Sequence, residues 1–545
     1  MNGIELGPVV GHTDHQSTRI WIKVFDDPRN YKLKVAGVGT FDFESTEGPP
    51  PFEFRTAVAK ATGLRPDITY RYGVQRLGRF LGNGRGKVRA MPDPASMAQI
   101  TFCAISCNVA ESDGAWKAFA KFVEDSKPQF ILMMGDQLYL DEDGVDVFRT
   151  KLNASPKARR KAIVEKYKIN WSREVVRKVL ANTPVYMMWD DHDIRDGWGS
   201  GASDSETLVA RHPRGKRIFD KCDAYYQDCR DIYWHFQGCH NPRPSDGVDP
   251  ALPNNYIDGP PTSTARYAMP FAFRCGRMVV LMLDSRGDRD GFRDTLPILG
   301  TRQWEFIEDV LENLAPEVEA LVVMTPTPIA SIDPGGQTMT LMGDRTDDVE
   351  AFKDGDEQNA LFPQNGSNLH VLPAVANVHL SRVTDGLGFG QLNLGSFKIS
   401  NIDEARDQWS HKFARKEQVR LLRSAGRALR VNRAAGTARG LLFVSGDIHV
   451  GARFTITCAD PPYEALSLTS SGISTIFEQQ PMVHTLLDTS FDVAPGIHSE
   501  LLEIVTDVNF GIVHVIPTGG GAEIQGVVAH EGNSVAIGLD ITLFL

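Results

Sequence analysis

The stretch FILMMGDQLYLDEDG, residues 130–144, decides how the rest of the chain is read. Phe130, Ile131, Leu132, Met133 and Met134 form an unbroken apolar run, the pattern of a strand buried on both faces in a parallel sheet. The run stops abruptly in Gly135 and Asp136, with Tyr139 three positions later. Gly135 lets the backbone turn and leaves Asp136 at the carboxyl edge of the strand, the rim on which open α/β sheets gather their ligands. An ordinary turn capped by Asp has the same local sequence, so the reading depends on partners elsewhere.

Three partners repeat the design of apolar strand, sharp exit and polar cluster. ITFCAISCN, residues 100–108, delivers Ser106, Cys107 and Asn108. PVYMMWDDHDIRDGWGS, 184–200, ends its strand in Asp190, Asp191, His192 and Asp193, and GLLFVSGDIHVGA, 440–452, ends in Asp447 and His449. Each cluster alone has a bland explanation: Asp190 and Asp191 as helix caps, His192 and His449 as satisfied core histidines, Cys107 as a small buried hydrophobe. Together they offer carboxylate, thiol, amide and imidazole at four strand ends, the donor set of a polynuclear metal site. Adjacent carboxylates beside buried strands also require positive charge among them. Asp136 is the natural ligand to be shared between ions.

A length of 545 residues allows three or four domain-sized units, or one large enzyme domain with an appendage. Hydrophobic residues at 42% and charged residues at 23% are those of a globular chain with ample core. The net charge of −11 argues against a nucleic-acid partner, which needs a basic surface, and leaves a small phosphorylated substrate in a locally positive pocket. No run of ~18 apolar residues is present, so no membrane span is expected. The start, MNGIELGPVVGHTD, has neither a signal peptide nor a twin-arginine pair, which predicts a cytoplasmic protein or the mature form of an exported one. Seven cysteines without a C-x-x-C pair predict free thiols. Oligomeric state is not written in the chain.

Residues 1–95 read as β-structure, with RIWIKVF (19–25) and ITYRYGV (68–74) rich in β-branched and aromatic residues. GNGRGKV (82–88) lacks the spacing and the Ser or Thr of a phosphate loop and is read as a turn. AMPDPASMA (90–98) marks a domain boundary. GAWKAFAKFVED (114–125) predicts a helix completing a β-α-β unit, and residues 155–182 a basic helical stretch. YLDEDG (139–144) imitates a calcium loop, but Tyr139 and Thr150 occupy its first and twelfth positions, so an EF-hand is rejected. The weakly periodic segment 200–270 is expected to be a lid or specificity insert. Further strands are expected at 277–286, ending in Asp284 and Arg286, at 320–328, 466–474 and 511–517, and in VAIGLDITLFL at 535–545.

Taken in order, SCN (106–108), GDQLYLD (135–141), WDDHD (189–193), LDSRGDRD (283–290), LGTRQWEFIEDVL (299–311), DQWSHKFARKEQVRLL (407–422) and SGDIH (445–449) resemble the PhoD-like alkaline phosphatases and phosphodiesterases of the calcineurin-like metallophosphoesterase superfamily. The resemblance covers roughly residues 100–530 and is far more specific than any single motif. It implies an α/β fold, the metallophosphoesterase α-β-β-α sandwich, over 98–545, with an N-terminal β-sandwich domain over 1–95. The implied activity is hydrolysis of phosphate monoesters or diesters by a metal-activated water. The resemblance also implies Fe³⁺ held by Cys107 and Tyr139, both anionic when bound to a trivalent ion. Asp191 and Asp447 complete a harder oxygen site for Ca²⁺, and His449 binds a metal or supports a ligand. His192 is placed like the superfamily histidine that faces the leaving oxygen, a general acid or transition-state stabiliser. Arg286 is the candidate phosphate clamp, with a surface salt bridge as its alternative. Asp407 and Trp409 resemble the family's pocket motif, while Ser410 and His411 depart from it. Two other readings are a Zn²⁺- or Mn²⁺-dependent diesterase or phospholipase acting on larger esters, and a non-catalytic binding protein on the same fold.

Overall fold

The computed structural model describes residues 3–142, 145–243, 264–333, 347–362, 404–432, 437–476 and 490–530. The apolar runs become two stacked sheets. In the five-stranded sheet, Ile100–Ile105, Phe130–Met134 and Val185–Met188 are parallel neighbours, and Asn509–Pro517 and Ala522–His530 extend it antiparallel. The eight-stranded sheet has a parallel centre of Met278–Met282, Ala320–Met324, Gly440–Ser445 and Pro462–Thr469.

Strand alternation sorts the residues of this second sheet into two layers. Val279, Leu281, Leu321, Val323, Leu441 and Phe443 pack with Trp304, Ile307 and Val310 of the helix Gly300–Glu312 and with Leu421 and Leu422 of the helix Arg415–Ala428. The intervening Met278, Val280, Val322, Leu442 and Val444 join the core that holds Phe102, Phe130 and Tyr186 of the first sheet. Phe119, on the helix Trp116–Ser126, packs against Phe510 on the first sheet's other side. The layers are therefore helix, sheet, sheet and helix. The helix Trp116–Ser126 completes the expected β-α-β unit, and residues 155–182 carry two helices, Pro156–Trp171 and Glu174–Leu180.

The amino-terminal residues form two four-stranded antiparallel sheets around a core that includes Ile20, Ile22, Leu33 and Val74. This sandwich is seated on the stacked layers: Trp21 Nε1 donates to the His235 carbonyl at 2.9 Å, and Tyr72 Oη donates to the Ala181 carbonyl at 2.7 Å. The stretch 82–88 is part of the strand Arg79–Arg89, not a turn. Its glycines serve close packing, since a Cβ on Gly86 would lie 2.1 Å from the Ala181 oxygen.

Within the segment 200–270, residues 200–243 carry more regular structure than their composition suggested. Lys216–Phe236 is a 21-residue helix with Ile218, Cys222, Tyr225, Cys229, Ile232 and Phe236 buried. Tyr and Cys supply much of its apolar stripe, which is why a count of aliphatic residues reads it as weakly periodic. Residues 244–263, and the strand expected at 535–545, lie outside the described residues. All seven cysteines are free and buried, and among the described residues no helix is long and apolar enough to cross a membrane.

Candidate metal centre

The parallel strands of both sheets end on one rim, and the rim is stitched across the gap between them. Asn108 N–H donates to the Asp136 carbonyl at 2.8 Å, joining neighbouring exits of the first sheet. Ser470 Oγ donates to the Ala104 carbonyl at 2.9 Å, tying the second sheet to the first. Two glycines permit the close approach: a Cβ on Gly135 would lie 2.3 Å from Asp190 Cβ, and one on Gly446 would lie 2.3 Å from Ser106 Oγ.

The exits are also bent. Cys107, Asp136, Asp447 and His449 adopt left-handed backbone conformations, with φ of 57°, 52°, 73° and 56°. A non-glycine residue in that region costs on the order of 1–3 kcal/mol, and such strain persists where surrounding structure imposes it at a functional site. It turns four side chains, from three separate strand exits, off their strands and into one space.

Three overlapping donor groups result, with atoms in each group within 4.8 Å of one another: Cys107, Asp136 and His449; Asp136, Asp191 and His192; Asp190, Asp191 and Asp447. Asp136 and Asp191 are each shared by two groups. Tyr139 reaches the first group, its Oη 2.9 Å from His449 Nε2. Every residue predicted to bind metal, Cys107, Asp136, Tyr139, Asp191, Asp447 and His449, is thus gathered here. Among the described residues, no member comes from the amino-terminal sandwich.

The electrostatics test whether this donor set fits cations. Burial and the Asp191 carboxylate push Asp136 well above the usual carboxylate range, and burial with Asp190 and Asp191 does the same to Asp447. Burial and Asp136 raise the Cys107 thiol, while burial and Cys107 raise the Tyr139 phenol. Burial pulls His449 down to about 3, which keeps its imidazole neutral and able to act as a donor. Asp190 Oδ2 and Asp191 Oδ1 are buried without a hydrogen-bond partner. Crowded anions that hold protons, with buried carboxylate oxygens left over, are what a site built around cations looks like without them.

His192 belongs to the second of these groups and has further partners of its own. Its Nδ1 is 2.8 Å from Asp141 Oδ1, its ring stacks on Tyr139 with centroids 4.3 Å apart, and its N–H donates to Asp136 Oδ1 at 3.3 Å. Burial opposes protonation of His192, but Asp141 and Asp191 outweigh it and raise the imidazole well above its ordinary value. Asp141 Oδ2 also accepts from Asp196 N–H at 2.5 Å, which fixes the carboxylate that orients the ring.

Arg286 does not sit where a phosphate clamp was expected. Its side chain is 0% exposed. Its Nε donates to Asp190, while Nη1 and Nη2 donate to the two oxygens of Asp407 at 2.5 and 2.8 Å. The surface salt-bridge alternative fails as well, since Asp191 Oδ1 is 3.5 Å and Asp447 Oδ1 3.8 Å from Nη2. Arg286 is a buried counter-charge beneath the carboxylates. Despite burial, Arg286 and Arg289 hold Asp407 far below the ordinary carboxylate range. Trp409 is also buried, its Nε1 donating to Thr325 Oγ1 at 3.2 Å, so Asp407 and Trp409 brace the site from below.

Sequence reasoning gave no separate role to three contributors. Asp141 lies inside the rejected calcium-loop imitation, and only its position five residues after Asp136 hinted at a role. Asp193 accepts the Asp190 N–H at 3.0 Å and so shapes the DDHD turn. Ser471 lies 3.1 Å from Cys107 Sγ in a stretch read only as a strand.

A family model described as PhoD-like phosphatase matches residues 102–478, well over half of the chain. The chain belongs to the PhoD-like phosphatase family. Among solved structures it is similar to PhoD, with 13% identity, a TM-score of 0.56, and coverage of 97% of this chain and 89% of that one. The purple acid phosphatase PPD1 of yellow lupin (Lupinus luteus) matches at 10% identity with a TM-score of 0.46, covering 96% of this chain and 72% of that one. A comparison with curated proteins gives no match. Just ahead of the helix Gly300–Glu312, Glu417 accepts from Ile298 and Leu299 N–H at 2.8 and 3.1 Å.

Proposed function

We propose that this PhoD-like chain hydrolyses phosphate esters at a polynuclear metal centre. The observation that carries the reading is the convergence of three donor groups linked through Asp136 and Asp191. Cys107, Tyr139 and His449 would hold one cation and Asp191 with Asp447 another, Asp136 being shared. The thiol and phenol suit Fe³⁺, and the all-oxygen side suits Ca²⁺, with Zn²⁺ or Mn²⁺ as the alternative occupants. Bound cations would supply charge to hold the phosphate and make a water nucleophilic near neutral pH.

The chain's own residues do the rest. His192, oriented by Asp141, carries a proton on the substrate side and delivers it to the departing oxygen. Arg286 and Asp407 hold Asp190 and Asp191 in place. Stripping metal from the protein should abolish turnover of an aryl phosphate and returning it should restore turnover, and full rate in demetallated protein would refute the reading. Running aryl monoesters beside bis-aryl diesters assigns the substrate class. If Tyr139 binds Fe³⁺, a visible phenolate charge-transfer band should disappear in Tyr139→Phe.

A further inference from the structure

Cys107 is the one sulfur donor at the centre, and its surroundings divide into two kinds. One kind is acceptors, Asp136 Oδ2 at 3.4 Å and the Asp447 carbonyl at 3.7 Å, both electron-rich. The other kind is two hydroxyls, Ser106 Oγ at 3.3 Å and Ser471 Oγ at 3.1 Å. These hydroxyls are not equivalent. Ser106 has another acceptor in the Ser470 carbonyl at 3.2 Å, whereas Ser471 Oγ already accepts the His449 N–H at 2.8 Å. While the thiol keeps its proton either partner of the Ser471–Cys107 pair can donate, but a thiolate can only accept, and sulfur is the other hydrogen-bond neighbour of the Ser471 hydroxyl among the described residues.

The segment bearing Ser471 is also held firmly. Asn509, on the neighbouring sheet, donates from Nδ2 to the Ser471 carbonyl at 2.5 Å and from N–H to the Gly472 carbonyl at 3.1 Å. Ser471 is fully buried, so water does not compete for its hydroxyl.

We infer that Ser471 is a positioning residue that donates a hydrogen bond to the Cys107 thiolate when metal is bound, tuning the electron density that sulfur gives the metal while pinning the backbone of His449. The inference rests on the reading above that Cys107 is a metal ligand. A donor on a ligating sulfur withdraws electron density from it, and partners of this kind commonly govern metal affinity as well as electronic structure.

The test uses the full chain, stripped of metal and reloaded with Co²⁺ alone, and reads the near-ultraviolet sulfur-to-cobalt charge-transfer band. Ser471→Ala should move that band to longer wavelength and weaken Co²⁺ binding ~10- to 100-fold. Ser106→Ala should leave the band in place. An unchanged melting temperature of the metal-free variants confirms that the comparison is between folded proteins. A wild-type band that Ser471→Ala does not move, or that Ser106→Ala moves as far, overturns the inference while leaving Cys107 as a ligand. Absence of a sulfur band in the wild type, with Co²⁺ bound, overturns both.

Discussion

The two ends of the metal centre solve the same charge problem differently. At the thiol end, Cys107, Tyr139 and His449 keep neutral, protonated or uncharged forms, and no arginine or lysine is among the hydrogen-bond partners described for them. Their geometry is imposed by left-handed backbone and by neutral hydroxyl neighbours. At the carboxylate end, Asp190, Asp191 and Asp447 stand over a permanent cation, Arg286, itself locked by Asp407. At the first end burial raises both the thiol and the phenol, which favours their protonated forms. The other is partly neutralised before any metal arrives, so its carboxylates are held in register by the fold. The difference teaches that Asp136, a member of two of the candidate donor groups, stands between an end shaped by backbone and hydroxyl neighbours and an end shaped by a buried guanidinium.

Asp136→Ala strikes both ends at once and should have the largest effect. Bound metal and activity should fall together, turnover by ~10³ or more, the scale of deleting a charged group at a reacting centre. Retention of full metal content by this variant breaks the idea of a shared ligand.

Arg286→Met addresses the carboxylate end alone. Removing one partner of a buried ion pair leaves uncompensated charge and costs about 3–5 kcal/mol, readable as a lower denaturant midpoint of the metal-free protein. The thiol end has no comparable counter-ion, so a stability loss near zero for Arg286→Met erases the contrast between the ends.

His192→Ala should keep its metal and lower kcat by ~10² or more for a poor leaving group, with much less effect on a good one. If it sheds metal as Asp136→Ala does, His192 belongs to the donor set.

The smallest effect is expected from Asp141→Asn. Burial lowers the His192 pKa and Asp141 raises it, with the carboxylate prevailing. If the protonated imidazole is the active form, activity is lost as pH rises through its pKa. Removing the carboxylate lowers that pKa, so the alkaline limb of the rate profile should move to lower pH by about 1–3 units. An unmoved limb means that another group sets it.

Much of this was readable from local sequence. The apolar runs at 130–134, 278–282 and 440–445 reported strands because a buried parallel strand needs continuous apolar side chains, and their polar exits reported the ligands because few other residues survive at a buried rim. The helix Lys216–Phe236 was overlooked although its stripe is present, since tyrosine and cysteine count as apolar only once buried. Glycines 84 and 86 looked like a turn because nothing local reveals that a neighbouring strand and a helix end press against them.

The sequence by itself determined which residues stand at strand ends and what chemistry they carry, because strand length and exit depend on near neighbours. The tertiary structure alone decided which of them meet. Tyr139 and His449 are 310 positions apart, and only the stacking of two sheets brings them within hydrogen-bond distance. It likewise decided the fate of Arg286. A guanidinium after a strand has the same sequence whether it faces a phosphate or lies beneath a carboxylate cluster, and burial against Asp190 and Asp407 is a long-range property that no local pattern encodes.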